Sequence, residues 1–269
     1  MTLDQPESWN AELAPPEPPF PEELDPTQKE MSFVEHLGEL RRALIIGAIA
    51  IVIGAGVGFY YYKPILTLLR QQAGNVQFVI LAPEEGFTAV LRLSVLMGLF
   101  LGIPVLLREV WWFIGPALTR KQRLVLVPIL LVSYLLFLAG VAFAYFALLP
   151  IGVKFLIGFT PEGIKPMLSI SRYIGFASVL IFSTGLMFQI PIVMLISSLV
   201  GALQRSLLVS QRRYAILVSF VVAAVITPSV DMMTQSMLAG TLIILFEMGL
   251  ILMWFVERIK GKNKPEEEY

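Results

Sequence analysis

Cysteine is absent from this chain, and His36 is its single histidine. Without thiols there are no disulfide staples, thiolate nucleophiles, iron–sulfur clusters or zinc–thiolate sites. One imidazole assembles no metal cluster by itself, so neither a metal nor another cofactor is expected. Nucleotide signatures are missing too: neither GxxxxGK[ST] nor GxGxxG occurs, which disfavours an ATPase. There is no HExxH and no convincing acid pair, so no residue is assigned a catalytic role and the chain is not read as an enzyme. Charge is also scarce. Only 15% of residues are charged and 57% are apolar, against about 25% and roughly 45–50% in soluble domains. Such a chain cannot cover itself with polar surface.

What is present is a series of apolar stretches, several of them long enough, at roughly 20 helical residues or more, to cross a hydrocarbon core about 30 Å thick. They predict an all-α polytopic membrane protein with six transmembrane helices. The first follows Arg41 and Arg42 with ALIIGAIAIVIGAGVGFYYY. The second spans 86–107, the third 124–150, the fourth Tyr173 to about Val200, the fifth 214–226, and the sixth about Met233 to Val256. Residues 1–30 hold seven prolines, eight acids and one lysine, with too little apolar area to offset the entropy of ordering. They are expected to form a disordered acidic tail, and they lack the basic start and apolar middle of a secretory leader. The membrane domain is placed at 31–257 and a charged tail at 258–269.

Orientation follows from the basic residues. One set of flanks and loops carries Lys29, Arg41, Arg42, Arg108, Arg120, Lys121, Arg123, Arg205, Arg212, Arg213, Arg258, Lys260, Lys262 and Lys264. The opposite set holds only Lys63, Arg70, Lys154, Lys165 and Arg172. The positive-inside rule then puts both termini, and both tails, in the cytoplasm. The fifth span is short, and it is expected to pair with the sixth as a hairpin where the bilayer thins. Pro191 removes a helix hydrogen bond and predicts a kink in the fourth span.

Polar groups at membrane depth are candidate functional residues, because an unpaired charge there is costly. Glu247 in LIILFEMG fits either a lipid-shielded cavity or an interhelical bond. Arg92 fits a functional role or a side chain that snorkels to the interface. Gln189 leans toward structure, and Asp231 toward a loop or helix-start residue. A proton- or ion-coupled solute transporter using Glu247 and Arg92 is the alternative reading of these groups.

The segment SFVEHLGELRRAL (32–44) spaces Phe33, Leu37, Leu40 and Leu44 as an amphipathic helix. Glu35 and Glu39 share one side of it, with Arg41 and Arg42 adjacent. This acidic surface suits a basic peptide or, equally, an interfacial anchor. Trp111, Trp112 and Phe113 suit the lipid interface, and Glu109 lies about one turn away. No nucleic-acid platform is needed to explain the basic loops.

Six stretches in order, SFVEHLGELRRAL, APEEGFTAVLRLS, PVLLREVWWFIGPAL, FAYFALLP, GLMFQIP and TPSVDMMTQ with LFEMG, resemble the TatC family over about residues 31–257. TatC proteins are the multi-spanning receptor subunits of the twin-arginine protein translocase. The resemblance implies a cupped six-helix bundle in the bacterial cytoplasmic membrane that binds paired-arginine signal peptides of folded cargo. It also implies small single-span partners, TatA and TatB or a TatA-like protein, self-association in a larger complex, and no catalysis.

Carried over by position, Glu39 and Gln122 belong to the signal-peptide site, with Glu35 and Arg41 grouped beside Glu39. Glu109 stands where the family usually has glutamine, and Arg92 occupies a basic position of the second span. Two family carboxylates are replaced: the loop glutamate by Gln122, and the FELP or FEVP glutamate by Gln189. The apolar part of the signal is expected near Gln189 and Glu247, and partner helices against the fifth and sixth spans.

Overall fold

The structure, a computed structural model, describes residues 33–74, 76–115, 126–161, 163–227 and 232–262. The acidic tail at 1–30, Gln122 and Asp231 lie outside the described residues. The chain divides into a first unit through Glu39 and a second from Leu40 onward.

Helix α1 runs Phe33–Tyr60, α2 Tyr62–Gln72 and α3 Glu85–Ile114. The third apolar run begins as α4, Leu126–Phe143, widens into a π turn at Ala144–Leu148, and continues as α5, Leu149–Gly158. The fourth is α6, Ile170–Met187, followed by α7, Ile190–Val200. After the short α8, Arg205–Ser210, come α9, Arg212–Ile226, and α10, Met232–Lys262. Five helical runs among the described residues are long and apolar enough to cross a membrane: 35–60, 85–114, 127–158, 170–200 and 232–258. The chain is therefore an all-α polytopic membrane protein. The expected fifth span, α9, is shorter, with 15 residues. Its neighbour α10 has 31 residues, and the two pack against each other.

Close backbone approach joins α1 to α3. A Cβ on Gly54 would lie 3.0 Å from Gly98 Cα, and one on Gly58 would lie 2.9 Å from the Ser94 carbonyl oxygen. Small residues four apart on both helices let the backbones meet, which favours packing where the hydrophobic effect gives no drive between helices. The central core joins α3, the π turn, α5, α6 and α10 through Leu93, Leu148, Leu149, Ile174, Leu180 and Leu238, all fully buried. Large apolar side chains such as Val52, Ile53, Leu131, Val225 and Ile244 remain on the outside. In a span they face lipid instead of water.

Prolines mark the irregular points for a chemical reason, since each lacks an N–H and its ring clashes with the preceding turn. Pro150 follows the π turn, and the third run goes on to Gly158 beyond the boundary expected at 150. At Pro191 the fourth run breaks outright. The Gln189 N–H donates to the Leu186 carbonyl at 2.9 Å, and the Gln189 carbonyl accepts from Ile192 and Val193. The kink expected there is thus a turn over Phe188 and Gln189. Pro104 sits inside α3 without interrupting it.

Between α2 and α3 lies β1, Gln77–Val79, paired in parallel with β2, Met167–Ser169, Phe78 opposite Leu168. This small sheet and α2 add to the expected bundle. Leu69 carries one of the last four carbonyls of α2, which lack regular intrahelical donors, and Leu68 directly precedes it. Tyr145 Oη donates to the Leu68 carbonyl at 2.9 Å and Tyr173 Oη to that of Leu69 at 2.5 Å. Ser169 caps α6 by accepting from the Arg172 N–H and donates its own hydroxyl proton to Glu85. The other Glu85 oxygen accepts from the Leu81 N–H at 3.0 Å.

Candidate functional site

In the first unit, the opening turns of α1 set Glu35 and Glu39 one helical turn apart. A carboxylate in the first turn is favoured by the positive end of the helix dipole, and Glu35 occupies that turn. His36 Nδ1 lies 3.7 Å from Glu39 Oε2, beyond hydrogen-bond range. That oxygen has no hydrogen-bond donor of its own. The first unit therefore holds a part-exposed carboxylate, one oxygen of which is buried and unbonded among the described residues.

In the second unit, Arg41 is exposed on α1. Glu109, near the end of α3, is mostly shielded, with Arg108 Nη1 3.8 Å from its Oε1. Trp111 is buried against Ile129, Ile192 and Ile196, whereas Trp112 is exposed. Both were expected at the lipid interface. Consecutive residues of a helix point about 100° apart, so one of the pair turns inward.

At the break in the fourth run, Gln189 is buried and bonded in both directions. Its Nε2 donates to the Ser133 backbone carbonyl at 2.9 Å, and the Ser133 hydroxyl donates to its Oε1. An amide supplies both a donor and an acceptor, which a carboxylate cannot. The structure thus places Gln189 in an interhelical bond between α4 and the α6–α7 junction. Ser133 was not singled out in the sequence, although it and Tyr134 are the polar residues in LVSYLL.

Arg92 reaches across from α3 to α6, where its Nη1 donates to the Ser171 carbonyl at 2.9 Å. Space for the guanidinium comes from Gly175: a Cβ there would sit 2.7 Å from the same nitrogen. Glu247 pairs instead with Arg212, Nη2 to Oε2 at 2.7 Å, joining α10 to the start of α9. Arg92 and Glu247, the proposed relay pair of the transporter reading, thus bind different partners. In the sequence Arg212 had served only to set topology.

An apolar cavity of about 580 Å³ is lined in part by Gln211 and Phe246, the chain neighbours of that pair. Leu186, Met187 and Ile190 line it from the fourth run, Tyr214, Val218 and Val222 from α9, and Phe246 from α10. Among the described residues no group of three or more acidic or imidazole side chains is arranged to hold a metal.

The spans and their buried polar links define a polytopic helical membrane protein. Residues 35–240 match the family described as Sec-independent protein translocase protein (TatC). The chain is 36% identical to the Sec-independent protein translocase protein TatC of Synechocystis over 86% of its length and 91% of the relative's. It is 37% identical to that of Aquifex aeolicus over 88% and 98%. The chloroplastic protein of Pisum sativum is 38% identical over 87% of this chain and 66% of its own. A crystal structure of the twin-arginine translocase receptor TatC superposes with a TM-score of 0.74 at 37% identity, covering 82% of this chain and 98% of that one. The chain belongs to the TatC family, the membrane subunit of the twin-arginine translocase. As a family member it is a translocase receptor and not an enzyme.

Proposed function

We propose that the chain captures paired-arginine signal peptides through carboxylates at its cytoplasmic face. Glu39 and Glu35 are the primary acceptors, with Glu109, Gln122 and Arg41 shaping the local field. Guanidinium groups carry five donors in a planar fork suited to carboxylates. An exposed ion pair alone is weak and screened by salt, so recognition needs several bonds at once. The observation that supports this reading is the pair of α1 carboxylates one turn apart, the Glu39 side chain partly exposed and its buried oxygen without a donor among the described residues.

The finer arrangement belongs to the same proposal. The chain spans the bacterial cytoplasmic membrane six times as a cupped bundle, α9 forming a short fifth span, with both termini and both charged tails in the cytoplasm. The distribution of lysine and arginine supports that orientation. Gln189, Glu247, Arg92 and Asp231 hold spans or partners in place instead of relaying ions. TatA and TatB, or a TatA-like protein, dock as single-span helices, and copies of the chain self-associate. Photo-crosslinking from a paired-arginine peptide to the inserted protein tests the reading. Crosslinks centred on 35–41 and 109–122, lost when the two arginines become lysines, are expected. Equal crosslinking by both peptides would refute it.

A further inference from the structure

We propose that the cavity between the fourth run, α9 and α10 holds an acyl chain of an anionic phospholipid, whose phosphate sits at Arg213. Lining residues Gln211, Tyr214, Val218, Val222 and Ile226 recur at helical spacing down one face of α9. At 1.5 Å per residue that face is about 22 Å long, more than the roughly 15 Å of one hydrocarbon leaflet. Its walls are almost wholly apolar, so a chain lying along them leaves no polar group stranded.

Arg213 does not itself line this face, but its guanidinium reaches the lining side chain of Tyr214 and so selects the head group at the cavity's edge. Arg213 lies over the Tyr214 ring, its guanidinium carbon 4.8 Å from the centroid, and its Nη2 donates to the Tyr214 hydroxyl at 3.1 Å. Because Tyr214 itself lines the cavity, a phosphate bound by Arg213 delivers its acyl chain straight onto the apolar wall. The nearby acid, Glu247, is already taken by Arg212 at 2.7 Å. Arg205, three residues before the lining Leu208, has the Glu257 carboxylate beside it, accepting from its backbone N–H, so the head-group selectivity is assigned to Arg213. Arginine matches phosphate by geometry as well as charge. A basic leader entering by this route would meet repulsion, so the mouth fits an anionic lipid better than a paired-arginine peptide. Its residues are other than the α1 carboxylates, and its test reads lipid retention instead of signal capture.

Native mass spectrometry of the full-length protein, released from detergent after titration with chain-matched phosphatidylglycerol or phosphatidylcholine, tests the proposal. The first retained lipid should favour phosphatidylglycerol about tenfold, as one charge-assisted bond allows. Arg213→Gln should abolish that preference, Arg213→Lys should keep part of it, and Lys154→Gln should leave it unchanged. Val218→Trp, which fills the cavity from an exposed position on α9, should lower retention of both lipids. Equal retention of the two lipids by the parent, or an unchanged preference in Arg213→Gln, would overturn the proposal. So would a Val218→Cys thiol shielded from maleimide by signal peptide or a single-span helix but not by phosphatidylglycerol, which would assign the cavity to a peptide.

Discussion

Ser133 and Gln189 are bonded twice, hydroxyl to amide oxygen and amide nitrogen to backbone carbonyl. The pair ties α4 to the fourth run at the turn where Pro191 removes helix hydrogen bonding. Ser133→Ala leaves the buried Gln189 oxygen without that donor, at a cost of about 1–3 kcal/mol. The thermal midpoint of the purified protein should fall, and Ser133→Thr, which keeps the hydroxyl, should restore most of it. An unchanged midpoint for the alanine variant would mean that the link is not structural.

Glu39→Gln removes the charge while keeping the shape of the side chain. Capture of a paired-arginine signal by correctly inserted protein should weaken about tenfold, the worth of one hydrogen bond to a charged group. Membrane insertion should not change. Direct affinity measurement decides the point, and Gln122→Glu in the same assay should retain or improve capture.

Arg212 and Glu247 are each about half exposed at the side chain, where a pair in water contributes only about 0–1 kcal/mol. Next to an apolar cavity, a charge left alone is the larger penalty. Glu247→Gln and Arg212→Gln should each reduce the yield of folded protein, and the double variant should recover part of the loss. A double-mutant cycle with no coupling would show that the two side chains act independently.

Gly175→Ala places a methyl group where the Arg92 guanidinium now lies. The bond to the Ser171 carbonyl should be lost, lowering the unfolding free energy by about 1.5–3 kcal/mol, the range for bonds to charged groups. Adding Arg92→Ala should cost little more, because the two changes break one contact. Thermal melts of the single and double variants measure this.

The five long spans were legible because the signal for a membrane helix is summed over some twenty residues, and no single position decides it. The break at Pro191 was legible for a local reason, the missing N–H. Other features depend on partners distant in sequence. Gln189 reads as a polar intruder until Ser133, fifty-six positions earlier, supplies both halves of its hydrogen bonding. Arg212 looked like a topology signal and proved to be the counter-ion of Glu247. The α1–α3 contact did leave a trace, glycines at 54 and 58 facing Gly98 and Ser94, but small residues are frequent in spans and their facing partner is not written locally. Helix α2 and the strand pair were missed because their segments are short and only three residues long per strand. The Trp111–Trp112 pair shows the limit of composition: type alone placed both outside, and only helical phase separates them.

The widened turn at Ala144–Leu148 amounts to one surplus residue accommodated within an otherwise regular rod. Trimming a single position there would close the bulge and leave the faces above and below it aimed at their present neighbours. Trimming one elsewhere in the same helix would rotate everything beyond it by about a quarter turn. That stretch is where this helix can lose a residue while the segments on either side keep their facing.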